Sequence, residues 1–214
     1  MRVLYVNHSC VLRVNQQRVA ELARFPDLDV TVLSPRRWRD RETGQAFAFE
    51  SPEADGFDFY ALPAYLAYHP ILYMYALVQV KRLVVALRPH LVHVEQEPYS
   101  ACAFQMARLA RACGAKVVIT ALQNLDKRYP LPFRAMEQFT LRAADYVVGV
   151  TEETTVLWSR RAGNGKPAST IPLGYDPALY FPRDGSALRR LGLRGFVIGY
   201  LGRLIESKGL AMLL

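Results

Sequence analysis

The chain has 214 residues, 51% of them apolar and 21% charged, with a formal net charge of +8. That is enough apolar side chain for one buried core and a little more, and it excludes both a disordered chain and a bundle of membrane helices. Lys and Arg less Asp and Glu comes to +2 over residues 1–50, −2 over 51–100, +4 over 101–150 and +4 over 151–214, a bias that suits phosphorylated ligands or an anionic membrane surface.

Short β-branched runs alternate with helical patterns along the chain. Arg2–Val6 reads as a first strand and Asn15–Phe25 as a helix, with Val19, Leu22 and Ala23 on one face. Asp29–Leu33 is a second strand, closed by Ser34-Pro35. Residues 40–56 are polar and rich in turn residues, a loop or a hairpin. Phe57–Ala61 follows as a strand, and Tyr73–Leu87 as a long helix ending before Pro89. Then come the strand Leu91–Val94, the helix Ser100–Cys113 stopped by Gly114, and the strand Lys116–Thr120. Phe133–Ala143 is a helix and Tyr146–Val150 a strand. Thr151 sits where an N-cap belongs, ahead of Glu152, Glu153 and a helix to about Arg161, and Ser169–Ile171 is one more strand. Alternation with near-continuous apolar strands predicts an α/β fold, a Rossmann-like parallel sheet with helices on both faces.

The pattern breaks at Pro172. Prolines and glycines punctuate the chain from there to Gly195, as in a linker, before a new strand at Phe196–Leu201 and a new helix from Glu206 to Leu214. The expected organisation is a domain over 1–171, a linker over 172–195, and the truncated start of a second Rossmann-like domain over 196–214. The three cysteines, Cys10, Cys102 and Cys113, are an odd number without metal-like spacing, and read as thiols in a reducing compartment. Val3–Val6 is too short for a secretory leader, and Ile71–Leu87, broken by Lys81-Arg82, falls short of a membrane span. The cytoplasm is the expected location.

Several nucleotide and hydrolase signatures are missing. The first glycine of the chain is Gly44, so the glycine-rich turn of a dinucleotide-binding enzyme cannot follow the first strand. Gly165-Lys166 is followed by Pro167 and lacks the upstream glycine of a phosphate-binding loop. There is no Gly-x-Ser-x-Gly elbow. Asp27-Leu28-Asp29 falls where a helix turns into a strand and reads as a solvated turn. His93, Glu95 and Glu97 alternate along one strand and share a face. They suggest either a metal site lacking a third ligand or a hydrogen-bonded histidine inside the sheet with Glu97 reaching the crevice beyond it. Aromatics and basic residues do not interleave into a nucleic-acid platform.

Open parallel sheets bind ligands at the carboxyl ends of their strands. The candidate rim is therefore Ser9, Cys10, Arg36–Arg39, Glu95–Tyr99, Gln123, Asn124, Thr151 and Glu152. A second candidate is Gly202-Arg203-Leu204-Ile205-Glu206-Ser207-Lys208-Gly209, where a strand ends at a glycine and a helix starts near Lys208. That arrangement would bring an arginine, a lysine and helix-end N–H groups to one diphosphate.

Gly-Arg-x₄-Lys-Gly after a strand, preceded by Ile171-Pro172-Leu173-Gly174-Tyr175-Asp176 and Phe181-Pro182, resembles the interdomain junction of GT-B glycosyltransferases of family four. The resemblance extends to Val92–Tyr99, Gln123-Asn124, Lys127–Pro130 and Ala144–Val147. It implies a retaining, metal-independent transferase moving a sugar from a nucleotide sugar to a glycan or lipid-linked acceptor, as in polysaccharide biosynthesis. No cofactor and no metal are expected. By the resemblance, Gly202, Arg203 and Lys208 hold the donor diphosphate, and the amino-terminal domain binds the acceptor. His8-Ser9-Cys10-Val11 stands where many relatives have a Gly-Gly pair, and Thr120–Asn124 where many have a histidine. The family's Glu-x₇-Glu motif would lie beyond Leu214, so the chain alone is expected to be inactive. Two other readings remain: a sugar-nucleotide epimerase of the same architecture, and a non-catalytic acceptor-binding remnant. Finally, Tyr65, Tyr68, Tyr73 and Tyr75 near Lys81-Arg82, with Arg36-Arg37-Trp38-Arg39, form either a basic aromatic surface for peripheral contact with the inner face of a membrane, or tyrosines packing a helix beside solvated arginines.

Overall fold

Val3–Val6 is apolar at every position and Val30–Leu33 at every position but Thr31, and a strand of that kind is stable only when both faces are covered. In the computed structural model, which describes residues 1–51, 56–163, 165–178, 180–182, 189–202 and 204–213, seven strands form one parallel sheet. They are β1 (Arg2–Val6), β2 (Asp29–Pro35), β3 (Phe57–Leu62), β4 (Leu91–Glu95), β5 (Lys116–Ala121), β6 (Tyr146–Gly149) and β7 (Ala168–Thr170). Their spatial order is β7-β6-β5-β4-β1-β2-β3, so the order reverses between β1 and β4.

Helices cover both faces. On one, α1 (Gln17–Ala23) packs Val19 against Tyr5, Val30 and Val32. On the other, α2 (Leu77–Leu87), α3 (Ala101–Ala112), α4 (Phe133–Ala143) and α5 (Glu152–Ala162) enclose the larger core with Leu4, Val6, Val92, Val94, Val117 and Ile119. Ser100 and Thr151 cap α3 and α5, their side chains accepting from the amides of Ala103 and Thr154. Glu152 and Glu153 follow at the positive end of α5.

The helix expected over Tyr73–Leu87 begins only at Leu77. Met74–Tyr75 instead pairs antiparallel with Ala64–Tyr65. The cause is remote: the Gln105 amide on α3 accepts from the Tyr75 N–H at 3.0 Å and donates to its carbonyl at 2.8 Å, which occupies the groups a helix would use. Tyr73 and Tyr75 are consequently core residues, while Tyr65 and Tyr68 are exposed. The polar stretch after β2 contains a second hairpin, Arg37–Arg39 with Ala46–Ala48.

The chain divides after Leu173, and Gly174–Leu214 forms a unit of its own. The strand expected at Phe196–Leu201 does not form; Phe196 and Leu201 are almost fully exposed. A strand needs a neighbour's ladder, and no strand is described elsewhere in this unit. The helix expected from Glu206 is broken as well. Glu206–Lys208 makes one tight turn, Gly209 takes a left-handed φ of 68°, and only Leu210–Leu213 is α-helical.

Gly149 ends β6 against the first turn of α5. A Cβ there would lie 2.4 Å from the Thr155 amide nitrogen and 2.7 Å from its Cα, and backbone cannot turn aside as a side chain can. Gly149→Ala is therefore expected to destabilise Met1–Leu173 by about 1–3 kcal/mol, measured as a shift in urea midpoint. Gly174→Ala, with open space around it, should be near neutral.

Candidate functional site

The reversal of strand order between β1 and β4 sends the loops after these strands to opposite faces of the sheet and opens a crevice at their carboxyl ends. Polar side chains line this place. Asn7, buried at the end of β1, accepts from the N–H and hydroxyl of Ser9 at 2.9 Å each, which folds His8–Val11 into a tight turn. Across the crevice, the Gln96 amide nitrogen lies 2.7 Å from His8 Nδ1. An amide nitrogen only donates, so Nδ1 accepts, and the ring proton sits on Nε2. The imidazole is also held between aromatic rings, 4.3 Å from Trp38 and 5.7 Å from Tyr73 between centroids. Burial pushes its pKa down to about 4. His8 is thus a neutral donor through the physiological range.

Glu97 follows β4. Its Oε1 accepts from the amides of Leu122 and Gln123 at 3.0 and 2.9 Å, joining the ends of β4 and β5. Its Oε2 is shielded and has no partner. Burial raises the carboxyl pKa to about 7, although the two amides oppose the shift. The Gln123 carbonyl in turn accepts from Trp158 Nε1 at 2.9 Å, and its side chain accepts from Leu125 N–H at 3.1 Å. Tyr99 and Tyr129 stack beside Trp158 at 4.0 Å. Arg160 and Arg161 both hold Asp126 at 2.5 Å, and Arg161 also holds Glu137 at 2.8 Å, which braces the loop after β5 against α5. Asn124, Thr151 and Glu152 are exposed at the ends of β5 and β6.

Ser9, Glu97, Gln123, Asn124, Thr151 and Glu152 therefore all lie along the carboxyl edge of the sheet. Cys10 is a correction to the expected rim. Its side chain is buried in the smaller core with Tyr5 and Val19, its Sγ donates to the Asn15 carbonyl at 3.6 Å, and burial pushes its thiol up to about 12. The turn that leaves Ser9 half-buried points the next residue inward. Among the described residues no group of three His, Cys, Asp or Glu side chains is placed to hold a metal. His93 bonds Thr120 Oγ1 at 2.7 Å, and Glu95 bonds Arg18 Nη1 at 3.0 Å and the Tyr5 hydroxyl. Trp38, within the expected rim stretch Arg36–Arg39, is buried while its neighbouring arginines are exposed. In the second unit, Arg203 lies outside the described residues. Lys208 is exposed in the tight turn before Gly209. A Cβ on Gly202 would meet the Tyr200 hydroxyl at 2.8 Å, a side-chain end that can move away.

Residues 12–174 match the model of the glycosyl transferase 4-like domain, more than half of the 214 residues. The chain belongs to this family. No curated protein is similar enough in sequence to be matched. Among solved structures, the fold resembles HepE of Anabaena in complex with UDP (TM-score 0.65, 14% identity, covering all of this chain and 56% of that one). It also resembles a portion of sucrose-phosphate synthase from Thermosynechococcus elongatus (TM-score 0.54, 12% identity, 90% of this chain and 99% of that one). A third is the UDP-GlcNAc 2-epimerase from Neisseria meningitidis bound to UDP-GlcNAc (TM-score 0.51, 13% identity, 79% and 45%). The chain thus spans about half the length of HepE and of the epimerase. At these identities the likeness establishes the GT-B amino-terminal fold.

Sequence reasoning included Gln96 only as part of the rim stretch Glu95–Tyr99 and left His8, one residue before Ser9, outside the rim. The signal was available in the rule that ligands sit at the strand-order reversal, but which strand lies beside β1 was not. It also missed the Arg18–Glu95–Tyr5 network, whose members are far apart in sequence.

Glu97 makes a pH prediction. Its folded pKa of about 7 exceeds the ordinary 4.5, so between these values the native state binds more protons than the unfolded one, and its contribution to stability falls as pH rises. His8 and His93, both pushed down to about 4, act in the opposite sense as pH falls below about 6.5. Glu97→Gln keeps an acceptor for Leu122 and Gln123 and removes only the carboxyl. Urea midpoints of the variant should gain on wild type from pH 5 to about pH 7 and hold level above it; a constant difference across that range would show that Glu97 does not titrate there.

Proposed function

We propose that the chain is the acceptor-side half of a retaining glycosyltransferase that moves a sugar from a nucleotide sugar to a glycan or lipid-linked acceptor in polysaccharide biosynthesis. The observation that carries this reading is the family match over residues 12–174 on a sheet whose carboxyl edge at the β1–β4 reversal is lined with His8, Gln96, Glu97 and Gln123. Hydroxyl-rich acceptors need closely set donors and acceptors. Neutral His8 offers an Nε2–H, and the unpartnered Glu97 Oε2 lacks one hydrogen bond. Ser9, Asn124, Thr151 and Glu152 extend the same edge. Among the described residues no helix is long and apolar enough to cross a membrane, and the proposed setting is the cytoplasm or the inner face of the membrane.

The donor diphosphate is assigned to Gly202, Arg203 and Lys208. As the glycosidic bond breaks, the leaving diphosphate gains negative charge, so fixed cations there act more strongly on the transition state than on bound substrate. On this reading no metal or other cofactor is required. An epimerase of GT-B architecture is the alternative that the fold supports, since UDP-GlcNAc 2-epimerases share it. Such an enzyme would turn over a UDP-sugar without any acceptor, and a transferase would not.

In a protein with a complete donor-binding half, Arg203→Ala and Lys208→Ala should each lower kcat/KM by about a hundredfold, corresponding to ~3 kcal/mol. Arg203→Lys should recover only part, because a point charge lacks the fork that grips two oxygens. Unchanged turnover in both alanine variants would refute the assignment. Calorimetry on the 214-residue chain should give affinity weaker than micromolar for UDP- and GDP-sugars; micromolar binding that survives Arg203→Ala with Lys208→Ala would move the donor site into residues 1–171.

A further inference from the structure

The helix α2 is apolar on the side that faces away from the core as well as on the side that faces it. Val80, Leu83 and Val84 are buried, yet Leu77, Val78 and Val85 are 59–61% exposed. With Lys81 and Arg82, also exposed, these residues recur at helical spacing and occupy a stripe of roughly 140° at 100° per residue. A helix on the surface of a globular protein normally turns a polar face outward. The hairpin feeding α2 continues the stripe. Tyr65 pairs with Met74, and the Ala76 amide donates to the Pro63 carbonyl at 3.0 Å, so the exposed Tyr65, Leu66 and Tyr68 (45–66%) stand beside the start of the helix. Leu66 has a φ of 52°, a left-handed conformation unfavourable for a branched residue, and its side chain is partly exposed.

The charge around this surface has one sign along the chain. Residues 59–94 contain Lys81, Arg82 and Arg88 and no aspartate or glutamate. The loop is tied to a further basic strand, the Arg39 amide donating to the Ala67 carbonyl at 2.9 Å and Arg41 Nη1 lying 3.1 Å from His69 Nε2. On that turn Asp40 accepts from the Glu42 and Thr43 amides and the Thr43 hydroxyl, so Glu42 is the acid it leaves exposed. Apolar side chains, tyrosines and flanking cations together match the layers of a bilayer surface, where acyl chains, the interfacial zone and lipid phosphates succeed one another. The strands are parallel, so the hairpin after β3 and the start of α2 lie on the carboxyl side of the sheet, the side that carries the candidate site.

We propose that the outer face of α2 and the adjoining hairpin loop dock onto an anionic lipid bilayer, with Leu77, Val78 and Leu66 entering the headgroup boundary while Lys81 and Arg82 meet lipid phosphates. This extends the lipid-linked acceptor reading above, but it is read by vesicle binding without turnover, so the two can fail separately. The 214-residue chain should co-sediment at low salt with vesicles of equal parts phosphatidylglycerol and phosphatidylcholine, and far less with phosphatidylcholine alone. Lys81→Gln with Arg82→Gln should weaken that binding about thirtyfold, from ~1 kcal/mol per cation, and Leu77→Glu with Val78→Glu should abolish it, with circular dichroism unchanged in both. No sedimentation of the wild type at low salt would overturn the proposal, as would binding that neither pair of substitutions weakens. A concentration-dependent dimer that Leu77→Glu with Val78→Glu dissolves, without vesicle binding, would assign the face to a second copy of the chain and equally overturn it.

Discussion

β1 is hydrogen-bonded to β2 on one edge and to β4 on the other, and the candidate site depends on that double pairing. Parallel neighbours can be reached only by crossing over a face of the sheet, and the crossovers are right-handed. A chain that leaves β1 toward β2 and leaves β4 toward β5 must therefore cross on opposite faces, which is why α1 lies on one side and α3 on the other. The two loops diverge at the carboxyl ends of adjacent strands. Backbone groups and side chains that would otherwise be covered are left at the mouth of the gap, and residues separated by 88 positions, His8 and Gln96, come within hydrogen-bonding distance.

The two acids of β4 and its loop show how position within this frame decides chemistry. Glu95 points to the α1 face, where the Arg18 guanidinium and the Tyr5 hydroxyl satisfy it; its charge is matched and its geometry is locked. Glu97, two residues on, meets only backbone amides on one oxygen and nothing on the other. Amides stabilise a carboxylate less than a cation does, and burial wins. A buried acid short of one partner is a cost the fold carries, and it lies at the strand-order reversal where ligands of such sheets bind. The brace behind it, Arg160 and Arg161 on Asp126 with Trp158 on the Gln123 carbonyl, keeps the amides that hold Glu97 in register with α5.

What residues 1–214 determine by themselves are the features that rest on near neighbours. Apolar runs placed the seven strands, and Thr151 with Glu152 and Glu153 announced the start of α5. Pro172 marked the end of the alternating pattern, and the Gly-x-Asp and Gly-Arg-x₄-Lys-Gly spacings pointed to the family. Each signal depends on periodicity or backbone preference within a few residues, which no distant contact has to supply. Only the tertiary structure decided which strand lies next to which, and hence that His8 meets Gln96 and Glu97 reaches the amides after β5. It also buried Cys10 and left Ser9 only half-buried, since a single turn of the loop separates core from rim. Gln105, 30 residues away, drew Tyr75 out of a helix that its own neighbours favour. Phe196–Leu201 has the composition of a strand and no ladder to join. Local propensity differs between alternatives by about 1 kcal/mol, whereas a partner supplied or withheld by the rest of the chain satisfies or strands several hydrogen bonds at once.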